Sequence, residues 1–314
     1  MLWLLAGCAP APESASADAE PPPGPPLDVP VEELAAALQC TPDIAAATRP
    51  PVLITPAFST AEQSFSGYLA QLPALGIPTC SLTLPDNGFD DLQTAAEFVV
   101  HAVREIHDLS GQKVLLFGHQ HGPLDQLWAL TFWPDIAPKV SSLISLATPY
   151  QGTSTASGFC TLGRRCSEAT WQIAAGSAFT GALLSRPLPE GVAITSITTL
   201  FDPLITPQPA ASSREGVQTL VLQDICPGRL VEHFTILMDN LAYALVLDAI
   251  EHPGEQADPA RLPTDICAGP RNMPTPPGSP GPFDGGPGFF IEFPLNTLGG
   301  VSAEPALREY AQEP

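Results

Sequence analysis

KVLLFGHQHGPLDQLWAL, residues 113–130, joins two apolar stretches through a turn with a glycine at each end. KVLLFG (113–118) reads as a buried strand. PLDQLWALTFW (123–133) reads as a helix with Pro123 tolerated in its first turn. GHQHG between them has the glycine spacing of a nucleophile elbow, G-x-S-x-G, in the strand–turn–helix context such an elbow needs. Its central position carries Gln120 where a serine would stand.

The pattern continues outward from that turn. PVLIT (51–55), TCSLTL (79–84), VSSLISLA (140–147), VAITSITTLF (192–201) and VQTLVLQD (217–224) read as strands. VEELAAALQC (31–40), SFSGYLAQLPALG (64–76), DDLQTAAEFVVHAVREIHDLSG (90–111) and MDNLAYALVLDAI (238–250) read as helices. In the third of these, Leu92, Ala96, Val99, Val103, Ile106 and Leu109 form one apolar stripe, and Gly111 stops it. Strands that alternate with helices and are apolar throughout predict a mostly parallel central sheet with helices on both faces. Ligands bind such sheets at the carboxyl ends of the strands, where GHQHG lies.

The chain has 314 residues, with 38 prolines and 25 glycines gathered toward its ends. One α/β domain over 31–268 is expected, after a Pro/Ala-rich tether at 9–30 and before a Pro/Gly-rich tail at 269–314. The tail contains one apolar patch, FFIEF. A net charge of −21 argues against nucleic acid and anionic lipid surfaces as partners. Leu5-Ala6-Gly7-Cys8 matches a bacterial lipobox, so 1–8 is read as a lipoprotein signal remnant with Cys8 as the lipidated residue. The apolar stretch before Cys8 is shorter than a working signal core, which predicts a translation start further upstream. The expected state is an exported monomer in the cell envelope or outer membrane, held to the membrane through that lipid only.

Six cysteines remain, at 40, 80, 160, 166, 226 and 267. An even number in an exported chain favours disulfides, and none has zinc-ligand spacing. Cys160 and Cys166 would close a small loop, FCTLGRRC.

LFGHQHGPLDQLWALTFWPDIAPKV resembles the elbow and following helix of the Candida antarctica lipase B family of α/β hydrolases. The resemblance runs from about residue 31 to about residue 270. VLITPAFSTAEQSF is similar to that family's oxyanion loop, and TWQIAAGSAFTGAL to its segment over the active site. TTLFDPLITPQPA and ICPGRLVEHFTIL match the segments that carry the triad acid and histidine, which implies Asp202 and His233 for those roles. The resemblance also implies an α/β-hydrolase fold and the pairs Cys40–Cys80 and Cys226–Cys267, with Cys160–Cys166 as an addition. Three positions depart from the family. Gln120 replaces the nucleophile, His119 replaces the preceding tryptophan, and the oxyanion-loop threonine falls on Ala57 or Phe58.

A primary amide cannot lose a proton to histidine and attack a carbonyl as serine does. The backbone N–H of His121 remains as an oxyanion donor, and the side-chain donor is gone. The leading expectation is a lipase-like protein without serine catalysis that binds a hydrophobic or acyl ligand, or a protein partner. The alternative is an active carboxylic-ester hydrolase with another nucleophile or a water activated by His233. In that case Ser59 and Thr60 are the nearby hydroxyls by sequence. A third reading gathers His119, His121 and His233 around a metal. No cofactor is expected. Asp202 and His233 are read first as a structural pair that stabilises the loops, because a buried charge needs its partner. His101 and His107 read as solvated, and Arg164 and Arg165 as a solvated loop or an anion contact.

Overall fold

The computed structural model describes residues 21–58, 60–163, 165–278 and 300–312. The lipobox at Cys8, the FFIEF patch, Ser59 and Arg164 lie outside the described residues. Seven strands form one sheet in the order β1-β3-β2-β4-β5-β6-β7. They are β1 (Leu38–Cys40), β2 (Val52–Thr55), β3 (Thr79–Leu82), β4 (Val114–His119), β5 (Val140–Leu146), β6 (Ala193–Thr198) and β7 (Gln218–Val221). Only β1 runs antiparallel to its neighbour; the other pairings are parallel.

The helices are α1 (Val31–Ala37), α2 (Ala61–Ser64), α3 (Ser66–Ala74), α4 (Leu92–Ser110), α5 (Gly122–Phe132), α6 (Ser154–Gly163), α7 (Glu168–Gln172), α8 (Ala178–Leu184), α9 (Leu222–Ile225) and α10 (Asn240–Glu251). Every residue of β2, β3, β4 and β5 is buried. Alternate side chains of β4 enter two separate cores. Leu116 packs with α1, α4 and α5, while Leu115 and Phe117 pack with α3 and α10. Helices on both faces therefore cover the central strands, which is why those strands show no polar alternation. This is the α/β-hydrolase architecture.

α4 is cut at both ends by local chemistry. The Asp91 carboxylate accepts the Gln93 N–H at the start, and Gly111 takes a left-handed φ of 65° at the end. The predicted apolar stripe holds for all but Leu109, which is 46% exposed in the last turn.

Two further expectations need correction. The last three residues of the predicted helix 31–40 form β1, because Leu38–Cys40 pair antiparallel with β3 and set Cys40 opposite Cys80. The segments at 21–30 and 300–312, expected as tether and tail, pack on the domain where they are described. Trp133 donates its indole N–H to the Pro25 carbonyl (2.7 Å), and the buried Glu97 carboxylate accepts the N–H groups of Asp28 and Val29 (2.6 and 2.9 Å). Disulfides join Cys40–Cys80, Cys160–Cys166 and Cys226–Cys267. Among the described residues no helix is long and apolar enough to cross a membrane.

Candidate functional site

β4 lies between β2 and β5, and its carboxyl end turns directly into α5. The turn is tight because its glycines admit backbone where side chains would collide. A Cβ on Gly122 would sit 2.3 Å from the Thr55 carbonyl oxygen, and one on Gly118 would sit 2.9 Å from the same atom. Gln120 is at the apex with φ 54°, a left-handed conformation that an L residue adopts only under constraint. Its N–H donates to the Leu146 carbonyl at 2.9 Å. From α5 the buried Gln126 amide reaches back to Thr55 Oγ1 (2.8 Å) and the Phe117 carbonyl (3.1 Å), fastening the helix to β2 and β4. Such strain at a strand–helix turn is the geometry of a nucleophile elbow.

Asp202, in the loop after β6, and His233, in the loop before α10, meet at this end of the sheet. His233 Nδ1 lies 2.8 Å from Asp202 Oδ2. The other carboxylate oxygen of Asp202 accepts the N–H groups of Leu204 and Ile205, both at 2.8 Å. A carboxylate accepts, so His233 Nδ1 is the donor of this contact and Nε2 is the ring nitrogen left unengaged. That Nε2 is buried and without a hydrogen-bond partner.

The histidine loop is itself anchored. Arg229 and Asp239 form a buried ion pair (2.6 Å), Thr199 donates its hydroxyl to the Val231 carbonyl (2.7 Å), and His119 Nε2 lies 2.9 Å from the His233 carbonyl. The last contact requires His119 Nε2 to be the donor. Burial, and then the neighbouring His233, hold His119 well below the usual histidine range, so it stays neutral.

His121 points elsewhere. Its Nδ1 lies 3.2 Å from Asp125 Oδ2 one turn along α5, and its ring meets Phe58 edge-on at 4.7 Å. Burial pushes the Asp125 carboxyl up to about 6, against the opposing pull of His121. His121 Nε2 and Asp125 Oδ1 have no hydrogen-bond partner. The three histidines of the metal-binding alternative thus divide into His119 against His233 and His121 against Asp125. Among the described residues no three His, Cys, Asp or Glu side chains converge as a metal site.

The cleft at Gln120 is lined by Phe58, Phe159, Ile173, Leu204 and Ile205 with a few threonines, and its cavity is about 20 Å³. Of the two candidates for the oxyanion-loop position, Phe58 lines this cleft. Ala57 turns its carbonyl toward Gly88, where an added Cβ would approach it to 2.1 Å. Thr60 caps α2, its hydroxyl accepting the Gln63 N–H at 3.3 Å. Arg165 donates to the Gly300 carbonyl. His107 is half-buried with Nδ1 2.9 Å from the Gln112 carbonyl, and burial lowers His101, so neither is merely solvated.

Sequence reasoning missed the His121–Asp125 pair and the Arg229–Asp239 anchor. The i,i+4 spacing of the first was readable on a predicted helix. The second joins two loops and left no local signal.

No protein-family model matches the chain. It is similar to lipase B of Pseudozyma antarctica, 28% identical over 243 residues that cover 74% of this chain and 71% of that protein. Its fold superposes on Aspergillus fumigatus lipase B with a TM-score of 0.79 at 24% identity, covering 97% of this chain and 77% of that one. A mature Bacillus licheniformis lipase superposes with a TM-score of 0.51 at 14% identity, over 72% of this chain and 96% of that one. The chain thus carries the α/β-hydrolase fold in its lipase-like and esterase-like form.

Proposed function

We propose that this chain is a lipase B-type protein that has given up acyl-enzyme chemistry and binds a hydrophobic or acyl ligand at the Gln120 cleft. Gln120 carries the reading. It stands at the strained apex of the elbow, and its amide has no proton that His233 could take to make a nucleophile. His233 Nε2, the nitrogen that would accept a serine proton, bonds no hydroxyl. Export and lipidation at Cys8 belong to the same proposal, which puts the domain at the cell envelope beside its ligand.

One observation favours a second reading. A ring nitrogen without a hydrogen-bond partner, on a histidine held by Asp202, suits general-base hydrolysis by a bound water. His233 would take a proton from water, the hydroxide would add to the ester carbonyl, and the alkoxide would leave with that proton.

The test is ester hydrolysis and fluorophosphonate labelling of the wild type, His233→Ala and Gln120→Ser. The expected result is no His233-dependent turnover and no label in the wild type, with labelling gained in Gln120→Ser. Turnover without labelling that His233→Ala abolishes establishes the water mechanism. Labelling of the wild type overturns both readings.

A further inference from the structure

Residues 300–312 cross from the helices over the cleft to the body of the domain. At one end Val301 and Cys166 exchange backbone hydrogen bonds of 2.8 and 3.0 Å. The Trp171 indole N–H donates to the same Val301 carbonyl at 3.2 Å. Glu304 accepts the N–H groups of Ala178 and Phe179, both at 2.8 Å, at the start of α8. Further along, Gln93 of α4 bonds the Ala306 carbonyl (3.1 Å) and the Arg308 N–H (2.8 Å). Arg308 reaches Glu97 (2.6 Å), Thr94 (2.7 Å) and Asp28 (2.8 Å), and the Trp128 indole of α5 donates to the Tyr310 hydroxyl (3.1 Å). The first half of the segment therefore grips α7, α8 and Cys166, and the second half grips α4 and α5.

The gripped helices include the roof of the cleft. α6 contributes Thr155, Ala156 and Phe159, and Thr170 and Ile173 come from α7 and its end. α6 is joined covalently to the gripped end, because Cys160 is bonded to Cys166 and Cys166 is the residue that pairs with Val301. Under this roof the cavity of about 20 Å³ holds about one water and no acyl chain.

We propose that residues 300–312 are a strap that holds the α6–α7 roof shut over Gln120. The roof opens when the first half of the strap leaves Cys166 and α8, while Arg308 keeps the second half on the body. A ligand that needs the open roof then binds with an affinity scaled by the open fraction. The ligand class rests on the hydrophobic-ligand reading above; the strap itself does not.

Gly300 is the point at which to lift it. Its φ is 86°, and an added Cβ would lie 2.5 Å from the Cys166 carbonyl oxygen and 3.0 Å from Ser167 Cα. Gly300→Ala separates strap and roof without touching the Arg308 anchor. Glu304→Ala removes the two bonds to α8 as an independent variant. Hydrogen exchange on the full chain reads the roof directly, and fluorescence titration with cis-parinaric acid reads access to the cleft. Both variants are expected to exchange about tenfold faster across residues 154–173, with α4 unchanged, and to bind cis-parinaric acid about tenfold more tightly. Faster roof exchange without tighter binding upholds the strap and overturns the hydrophobic-ligand reading. Unchanged roof exchange in both variants overturns the strap, as does an equal rise in α4, which would make the segment a brace of the whole domain.

Discussion

Gln120 holds a backbone angle that costs an L residue about 1–3 kcal/mol, and its side chain lines the cleft instead of filling a core. Gly occupies the same angle freely but loses more entropy on folding. The balance predicts that Gln120→Gly raises stability by about 1 kcal/mol, read as a shifted urea midpoint at constant slope. A loss of similar size would mean that the Gln120 side chain supports the fold, and its presence at the apex would then need no functional account. The apex was legible in the sequence because two glycines and a strand–helix boundary fix it locally. Which of Ala57 and Phe58 lines the cleft was not, because that depends on how the loop after β2 crosses Gly88, a contact between segments thirty residues apart.

At the scale of elements, β4 and α5 carry two buried titratable groups with opposite effects. His119 is held well below the ordinary histidine range by burial and by His233. The unfolded chain takes up that proton below about pH 6.5 and the folded chain does not, so stability is lost as pH falls through that value. Asp125 behaves in reverse. Its carboxyl is pushed by burial from 3.8 to about 6, so the folded chain holds the extra proton between those values. Stability from this group is full below the lower value and is lost as pH rises through about 6, by roughly 3 kcal/mol. Asp125→Asn should therefore gain on the wild type between pH 4 and pH 7, and His119→Phe should flatten the acid limb. Denaturant titrations across that range separate the two. A wild-type and an Asp125→Asn curve that stay parallel from pH 4 to 7 would remove the buried-carboxylate argument.

The same two elements set the tolerance of the elbow. An added methyl at Gly122 has only main chain to push against, the Thr55 carbonyl at 2.3 Å. Gly122→Ala is expected to destabilise by about 3 kcal/mol and to disturb β2 as well as α5, seen as faster exchange of the amides of both. A neutral Gly122→Ala would show that the turn has slack, which the register of β2 on β4 does not suggest.

At the scale of the whole molecule, the central sheet could be read from its apolar strands because burial on both faces is written into every residue of a strand. The ends could not. A run such as PPPGPPLDVP lacks periodicity and reads as tether, yet it is held by partners more than sixty residues away, Glu97 and Trp133. The docked part of the C-terminal segment is held in the same way. Both ends converge on Glu97, which is fully buried, accepts two N–H groups from residues 28 and 29, and lies 2.6 Å from Arg308. Removing the cation leaves a buried carboxylate with amide partners and no counter-charge, whereas removing both charges leaves a neutral pair. Arg308→Ala is therefore expected to cost about 3 kcal/mol, Glu97→Gln less, and the double variant less than the sum of the two. The deficit from additivity, measured by urea unfolding of the four proteins, is the coupling between the two ends of the chain. Additive losses would mean that Asp28, Val29 and Arg308 each hold Glu97 independently, and the ends would then be two separate patches on α4 instead of one clasp.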